Sequence, residues 1–163
     1  MPAVRPASSW DLPAILEIYN EAVRTTTATF DLEPRTPEAH RAWFEAHGPR
    51  HPVLVTEEGG VVIAWASLSP WSLRPAYAGT VEDSVYVAEG HRGRGVGRLL
   101  LQALVAEAVK AGHHSLVGRV CTESAASIRL HEALGFRPAG VLKEAGLKFG
   151  RRLDVLNLQL LLP

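Results

Sequence analysis

The segment His91-Arg92-Gly93-Arg94-Gly95-Val96-Gly97-Arg98 lies between a strand pattern and the strongest helix pattern of the chain. Its glycines permit positive φ angles, and without side chains they let successive backbone N–H groups converge on a bound anion. The helix that begins there adds its own unpaired N–H groups and the positive end of its dipole, and the arginines add charge. These residues favour a phosphate cradle, although a flexible turn rich in glycine and arginine fits them equally well.

Spacing excludes two other phosphate-binding loops. No Gly-Lys-Ser/Thr follows, so the segment is not a Walker loop. Gly93, Gly95 and Gly97 miss the G-x-G-x-x-G spacing of dinucleotide-binding folds, and no ribose-binding acid stands at the end of the next strand.

The periodicity on both sides of this segment predicts the fold class. From Thr80 to Val87, alternate residues of the predicted strand share a face. One face carries Val81, Asp83, Val85 and Val87, and the other carries Glu82, Ser84 and Tyr86. Along the whole chain, the predicted order of elements is β α α β β β α β α β β. This order predicts an α/β (α+β) protein with a mixed, mostly antiparallel, twisted sheet and helices on both faces.

Length and composition limit the function further. The 163 residues suit a single domain spanning 1–163, and 17 Lys+Arg balance 17 Asp+Glu, so no basic field predicts nucleic acid or membrane as a partner. Cys121 is the only cysteine, which excludes an internal disulfide and argues against a cysteine-based metal site. With no signal-peptide pattern and no long apolar run, we expect a cytoplasmic protein. We also expect that the protein needs no metal.

Two motifs resemble the GCN5-related N-acetyltransferase (GNAT) superfamily. Arg92 to Gly97 resembles its Q/R-x-x-G-x-G/A pyrophosphate loop, and Glu123 to Phe136 is similar to its second cofactor motif, a helix closed by Gly-Phe. Both motifs stand in the family's order, about thirty residues apart. The resemblance implies a GNAT fold and acetyl-CoA as the co-substrate.

A closer resemblance covers nearly the whole chain. Thr25–Pro34, Thr80–Val87, Leu130–Gly135 and Gly146–Val155 are similar to segments of phosphinothricin and methionine-sulfoximine N-acetyltransferases. That family implies acetylation of the α-amine of small amino-acid analogues, including methionine sulfone. It also implies a homodimer, and a V-shaped gap between parallel strands in which the pantetheine arm lies.

Two residues depart from the family pattern. Ser124 stands where Asn usually precedes the second cofactor helix, and we expect its shorter side chain to weaken a cofactor contact there. Arg152 stands where the C-terminal turn often has Trp, so we expect the shape of the substrate pocket to differ from the family pattern.

Glu82 and His131 are the candidate catalytic residues. An amine attacks only when neutral, so the enzyme needs a base. Glu82 is the candidate because it lies on the strand before the cofactor loop, in a motif similar to that of the family. In the alternative interpretation it is a solvated strand glutamate. Asp83 points to the opposite face and is predicted to be structural. His131 stands where many relatives have a Tyr that protonates the departing thiolate, although a core histidine fits its apolar helix face equally well.

The remaining candidates are assigned to binding. We expect backbone amides of Val85 and Val87 to polarise the acetyl carbonyl, and a planar arginine in the loop from Trp71 to Tyr77 to hold the substrate carboxylate. That loop is an ordinary surface loop in the alternative interpretation. The cofactor set is Val85, Tyr86, Val87, Arg92, Gly93, Arg94, Gly95, Val96, Gly97, Arg98, Ser124 and Ser127. The substrate set is Phe30, Trp71, Arg74, Tyr77, Ser84 and Lys148.

Two other functions compete with amino-acid acetylation. The first is acetylation of another amine, such as a protein N-terminus or a polyamine. The second is a catalytically silent acyl-CoA sensor that kept only the cofactor loop. Glu82 beside an intact loop argues against the sensor.

Overall fold

The computed structural model describes all residues from Met1 to Pro163. The α-helices are α1 Leu12–Thr25, α2 Pro37–Glu45, α3 Val96–Lys110 and α4 Ala125–Ala133. The strands are β1 Ala3–Pro6, β2 Val53–Glu58, β3 Val61–Pro70, β4 Thr80–Val87, β5 Ser115–Cys121, β6 Arg137–Lys148 and β7 Arg151–Leu161. Short 3₁₀ turns precede α1, β4 and α3. The order of strands and helices predicted from the sequence is confirmed.

All strands join one sheet in the order β1-β2-β3-β4-β5-β7-β6. Every neighbouring pair is antiparallel except β4 and β5, which are parallel because α3 crosses over between them. The predicted mixed, mostly antiparallel sheet is therefore confirmed.

Helices cover both faces of this sheet. On one face, α3 buries Leu100, Leu101 and Leu104 completely, and each fully buried leucine contributes about 1.5–3 kcal/mol of transfer free energy. On the other face, Ile15 of α1 packs with Trp65 of β3 in a second cluster. In β2, Leu54 belongs to the first cluster while Val53 and Val55 belong to the second, and this alternation fixes the register of the strand.

The loop between α1 and α2 is tied to the C-terminal strands. The ammonium of Lys148 donates to the carbonyl of Thr29 at 2.7 Å. Phe30 packs against the backbone of Gly146, where an added Cβ would clash with the phenyl ring. These contacts hold the loop as a wall beside the second half of β4.

Two further structural features bear on partners. No helix is long and apolar enough to cross a membrane. No group of three or more His, Cys, Asp or Glu side chains is arranged to hold a metal ion.

Candidate active site

Strands β4 and β5 separate inside the sheet. Their backbones pair over Thr80–Glu82 and Ser115–Val117, beyond which β4 pairs only with β3 and β5 only with β7. A cavity of about 550 Å³ opens at the point of separation. Its walls come from residues 27–31, 82–86 and 119–121, with further side chains from α4, β6 and β7. This is the V-shaped gap that the resemblance implied.

Backbone N–H groups of β4 face the gap. The N–H of Ala88, just beyond β4, donates to the carbonyl of Ile63 on β3 at 2.9 Å. Alternate residues of an antiparallel strand direct their N–H groups to the same side. Val85 and Val87 therefore direct theirs away from β3, towards the side on which β5 has separated.

The glycine-rich loop lies beyond the end of β4. Gly93 and Gly95 have φ angles of +74° and +81°, and a Cβ added to either would meet no heavy atom within 4 Å. Gly95 is the N-cap of α3, so the N–H groups of the first helical turn have no acceptor within the helix. An open, donor-rich surface of this kind fits the pyrophosphate of acetyl-CoA.

The arginines of this loop are mostly paired. Arg92 donates to the carbonyl of Val87 at 2.9 Å and to Glu21 at 2.8 Å. Arg94 contacts Glu58 at 3.2 Å. These pairs are exposed, where an ion pair is worth about 0–1 kcal/mol, so a phosphate can replace either partner at low cost. Arg98 is exposed on the first turn of α3.

Of the other predicted cofactor residues, Val85, Tyr86, Ser124 and Ser127 line the cavity. Val96 is buried, and Gly97 packs close to α4, with Leu130 3.4 Å from the position of an added Cβ. The site thus combines a phosphate loop, a strand edge with unpaired N–H groups, and hydroxyls at the start of α4. Together these groups fit an elongated ligand with an anionic end and an amide-rich arm.

Glu82 lies at the vertex of the gap beside an arginine that sequence reasoning missed. Its Oε2 is 2.6 Å from Nη2 of Arg119 on β5. The guanidinium also lies over the ring of Trp71, 5.3 Å from the centroid. Arg119 is the one exposed residue of an otherwise buried strand, and this interruption of the apolar pattern is the signal that could have found it.

Burial and the ion pair act in opposite directions on Glu82. Burial raises the pKa of Glu82 and outweighs the hydrogen bond and charge of Arg119, which lower it. The net pKa is raised above that of an ordinary glutamate. A carboxylate with a raised pKa is a stronger proton acceptor, which suits a general base.

His131 forms a buried pair with Asp83 across the gap. Its Nε2 is 2.9 Å from Oδ1 of Asp83, and its Nδ1 is 2.8 Å from the carbonyl oxygen of Ser127. Burial lowers the pKa of His131, but the Asp83 carboxylate and the Ser127 carbonyl outweigh burial and leave the pKa raised. Asp83 therefore has the structural partner that its strand face suggested.

Gly118 of β5 makes room for this pair. A Cβ at Gly118 would lie 2.6 Å from Nε2 of His131 and 3.2 Å from Oδ2 of Asp83. Glycine thus permits the pair to fill the wedge beneath the separating strands.

The predicted substrate residues divide into two groups. Phe30 and Ser84 line the cavity, and Trp71 reaches it through Arg119. Arg74 and Tyr77 are exposed and do not line it. Lys148 is 3% exposed, and its ammonium is engaged by the Thr29 carbonyl, so the structure does not bring it into the cavity either. Arg119 is the only Lys or Arg in the wall.

A family model and individual known proteins assign the chain to the same family. Residues 13–136 match the model of the acetyltransferase (GNAT) family. The chain is 43% identical over 158 residues to an L-methionine sulfoximine/L-methionine sulfone acetyltransferase from Salmonella typhimurium, which covers 96% of this chain and 92% of that protein. It is 42% identical over 156 residues to a phosphinothricin N-acetyltransferase from Streptomyces coelicolor, which covers 93% and 91%.

A solved structure shares both the fold and the co-substrate. The phosphinothricin acetyltransferase of the GNAT superfamily from Sinorhizobium meliloti, in complex with acetyl-CoA, superposes with a TM-score of 0.95 at 36% identity. The match covers 99% of this chain and 88% of that chain.

Proposed function

The chain belongs to the acetyltransferase (GNAT) family and is an acetyl-CoA-dependent N-acetyltransferase, and we propose that its acceptor is the α-amine of small amino-acid analogues. Phosphinothricin, methionine sulfoximine and methionine sulfone are the proposed substrates, because relatives at 42–43% identity carry these names. The observation that carries the proposal is the position of Glu82, a carboxylate with a raised pKa at the vertex of the gap, in the same cavity as a single arginine.

Glu82 would accept the proton that the acceptor amine loses, directly or through a water. An α-amine is mostly protonated at neutral pH and attacks only after deprotonation, so a base within the cavity raises the rate. Bound acetyl-CoA supplies an acetyl thioester, so that a C–N bond forms to the amine, the C–S bond breaks and the sulfur takes up a proton from the solvent to leave as the CoA thiol.

The backbone of β4 would polarise the reacting carbonyl. The N–H groups of Val85 and Val87 point towards the gap, where they can donate to an oxygen that gains negative charge. Such donors are fixed by the sheet, so they need no reorganisation during the reaction. The glycine-rich loop would hold the pyrophosphate, and Ser124 and Ser127 would contact the pantetheine arm.

His131 would place positive charge at the wall of the gap. Both of its ring nitrogens are already engaged, by Asp83 and by the carbonyl of Ser127. The imidazolium can stabilise the sulfur that becomes negative as the C–S bond breaks. Direct donation of its proton would require the Nε2 group to leave Asp83.

We also propose that residues 1–163 work as one catalytic domain within a homodimer, as the family resemblance implied. The edge strand β6 exposes Val141 and Leu142, and Leu147 and Phe149 near its end are also exposed. Apolar side chains along an unpaired edge favour association with a second copy. Light scattering should give twice the chain mass, and a monomeric mass at micromolar concentration would contradict this. The cytoplasmic location stays a prediction from the sequence.

A panel of amines tests the substrate proposal. Release of CoA thiol is measured with methionine sulfone, methionine sulfoximine, phosphinothricin, spermidine and a peptide with a free N-terminus. We expect the three amino-acid analogues to have the highest kcat/KM values. A higher kcat/KM for spermidine or the peptide would overturn the substrate assignment while leaving the acetyltransferase activity in place.

A further inference from the structure

Arg119 lies where it can contact both an incoming substrate and the candidate base Glu82. It lies on β5 two residues past Val117, the last residue of that strand to pair with β4. Its guanidinium contacts Glu82 at 2.6 Å, and its side chain remains 54% exposed while that of Glu82 is 20% exposed. The arginine is thus open to an incoming anion, whereas the carboxylate beneath it is largely shielded.

The ion pair restrains the base. The ion pair with Arg119 stabilises the carboxylate form of Glu82 and makes it a poorer proton acceptor. The pair also occupies Oε2, one of the two carboxylate oxygens that could accept the amine proton. An anion that takes over Arg119 would free both oxygens of Glu82.

An α-amino acid carries the needed anion beside the reacting amine. Its carboxylate and its amine are attached to one carbon. The distance between these two groups is therefore similar to the distance between Glu82 Oε2 and Arg119 Nη2. A planar guanidinium binds a carboxylate with two parallel hydrogen bonds. The stacked ring of Trp71 supports the guanidinium from one side while it exchanges partners.

We propose that Arg119 is the specificity-determining residue of this enzyme. The substrate carboxylate displaces Glu82 from Arg119, and the released Glu82 then accepts the proton of the neighbouring amine. Amines without an adjacent carboxylate leave the ion pair intact and are acetylated slowly. The inference rests on the proposed function, since it names the group of the amino-acid substrate that the site recognises.

The other charged groups near Glu82 do not provide an alternative anchor. Asp83 is engaged by His131, and Asp31 is hydrogen-bonded to the hydroxyl of Tyr19. The only other side chain of the wall that can carry a positive charge is His131, whose two ring nitrogens are already engaged by Asp83 and the Ser127 carbonyl. The remaining titratable groups of the wall are Tyr86 and Cys121.

A pair of matched substrates tests the role of the carboxylate. Methionine sulfone is compared with 3-(methylsulfonyl)propylamine, which lacks only the carboxylate. We measure kcat/KM for wild type, Arg119→Met and Arg119→Lys, with Arg41→Met as a control that removes an exposed arginine of α2 for which no side-chain partner is observed. Arg119→Met should lower kcat/KM for methionine sulfone by about 10- to 100-fold, the value of a hydrogen bond to a charged group. The kcat/KM of Arg119→Lys for methionine sulfone should lie between those of wild type and Arg119→Met.

The carboxylate-free amine gives the opposite expectation. With the carboxylate-free amine, kcat/KM of Arg119→Met should match or exceed that of wild type, because Glu82 is no longer held by an ion pair. The pH profile of kcat/KM reports the pKa values of the free enzyme. Its acidic limb should move to higher pH in Arg119→Met, since the group that lowers the pKa of Glu82 is gone. A purely structural role of Arg119 would not move this limb.

The outcomes separate the two proposals. If wild type acetylates methionine sulfone and Arg119→Met keeps both the wild-type substrate ratio and the wild-type acidic limb, the role of Arg119 is overturned and the proposed function stands. If wild type acetylates none of the amino-acid analogues, the proposed function fails and this inference fails with it. Should Arg119→Met not fold, the same comparison with Arg119→Lys decides, because an unchanged ratio would contradict the need for a planar fork.

Discussion

Replacing Gly118 with Ala should destabilise the protein through the buried pair of His131 and Asp83. The added methyl carbon would lie 2.6 Å from Nε2 of His131 and 2.8 Å from its Cδ2, well inside van der Waals contact. The imidazole cannot rotate away freely, because Asp83 holds one nitrogen and the Ser127 carbonyl the other.

The structure sets the size of the effect. If the ring shifts and keeps Asp83, overpacking costs about 1–3 kcal/mol. If the buried pair breaks, the cost rises to about 3–5 kcal/mol. At about 2 kcal/mol, a domain of this size loses about 4–8 °C in Tm. Gly90→Ala is the matched control, because a Cβ there meets nothing within 4 Å and the backbone does not need glycine.

The effect should depend on pH. The pKa of His131 is raised in the folded protein, so the pair stabilises fully below the ordinary histidine value of 6.5. This stabilisation is lost as pH rises through the raised pKa of His131. The difference in the free energy of unfolding between wild type and Gly118→Ala should therefore be larger at pH 6 than at high pH. Thermal melts at both pH values measure it, and a Gly118→Ala protein that melts within about 1 °C of wild type at pH 6 would refute the reasoning.

Two further predictions concern catalysis and the cofactor loop. Glu82→Gln should lower kcat at pH 7 by about 10²–10⁴-fold, with a smaller loss at high pH where the neutral amine is abundant, and a wild-type kcat at pH 7 would leave Glu82 without a role as base. Gly95→Ala places a side chain at a φ of +81°, so it should strain the loop by about 1–2 kcal/mol and weaken acetyl-CoA binding. Calorimetric titration against Gly90→Ala measures this, and equal affinities of folded proteins would remove the loop from cofactor binding.

The comparison of sequence and structure shows which features are local. The order of strands and helices follows from short-range periodicity, which apolar burial enforces. The glycine spacing of residues 93–97 likewise predicted a turn with positive φ angles, which Gly93 and Gly95 have, because positive φ angles are a property of single residues. The alternation in β4 also separated Glu82 from Asp83 correctly, since a strand turns successive side chains to opposite faces.

Tertiary structure decided which charged groups meet. Periodicity gives the face of a strand but neither its neighbour nor the depth of a side chain, so nothing in the sequence paired Arg119 with Glu82 across two parallel strands. The same limit applies to Lys148, whose charge suggested a substrate anion but whose ammonium is buried against the Thr29 carbonyl. Arg74 remains outside the cavity because its loop lies on the surface. The chemistry of the site thus depends on long-range register, which only the folded sheet specifies.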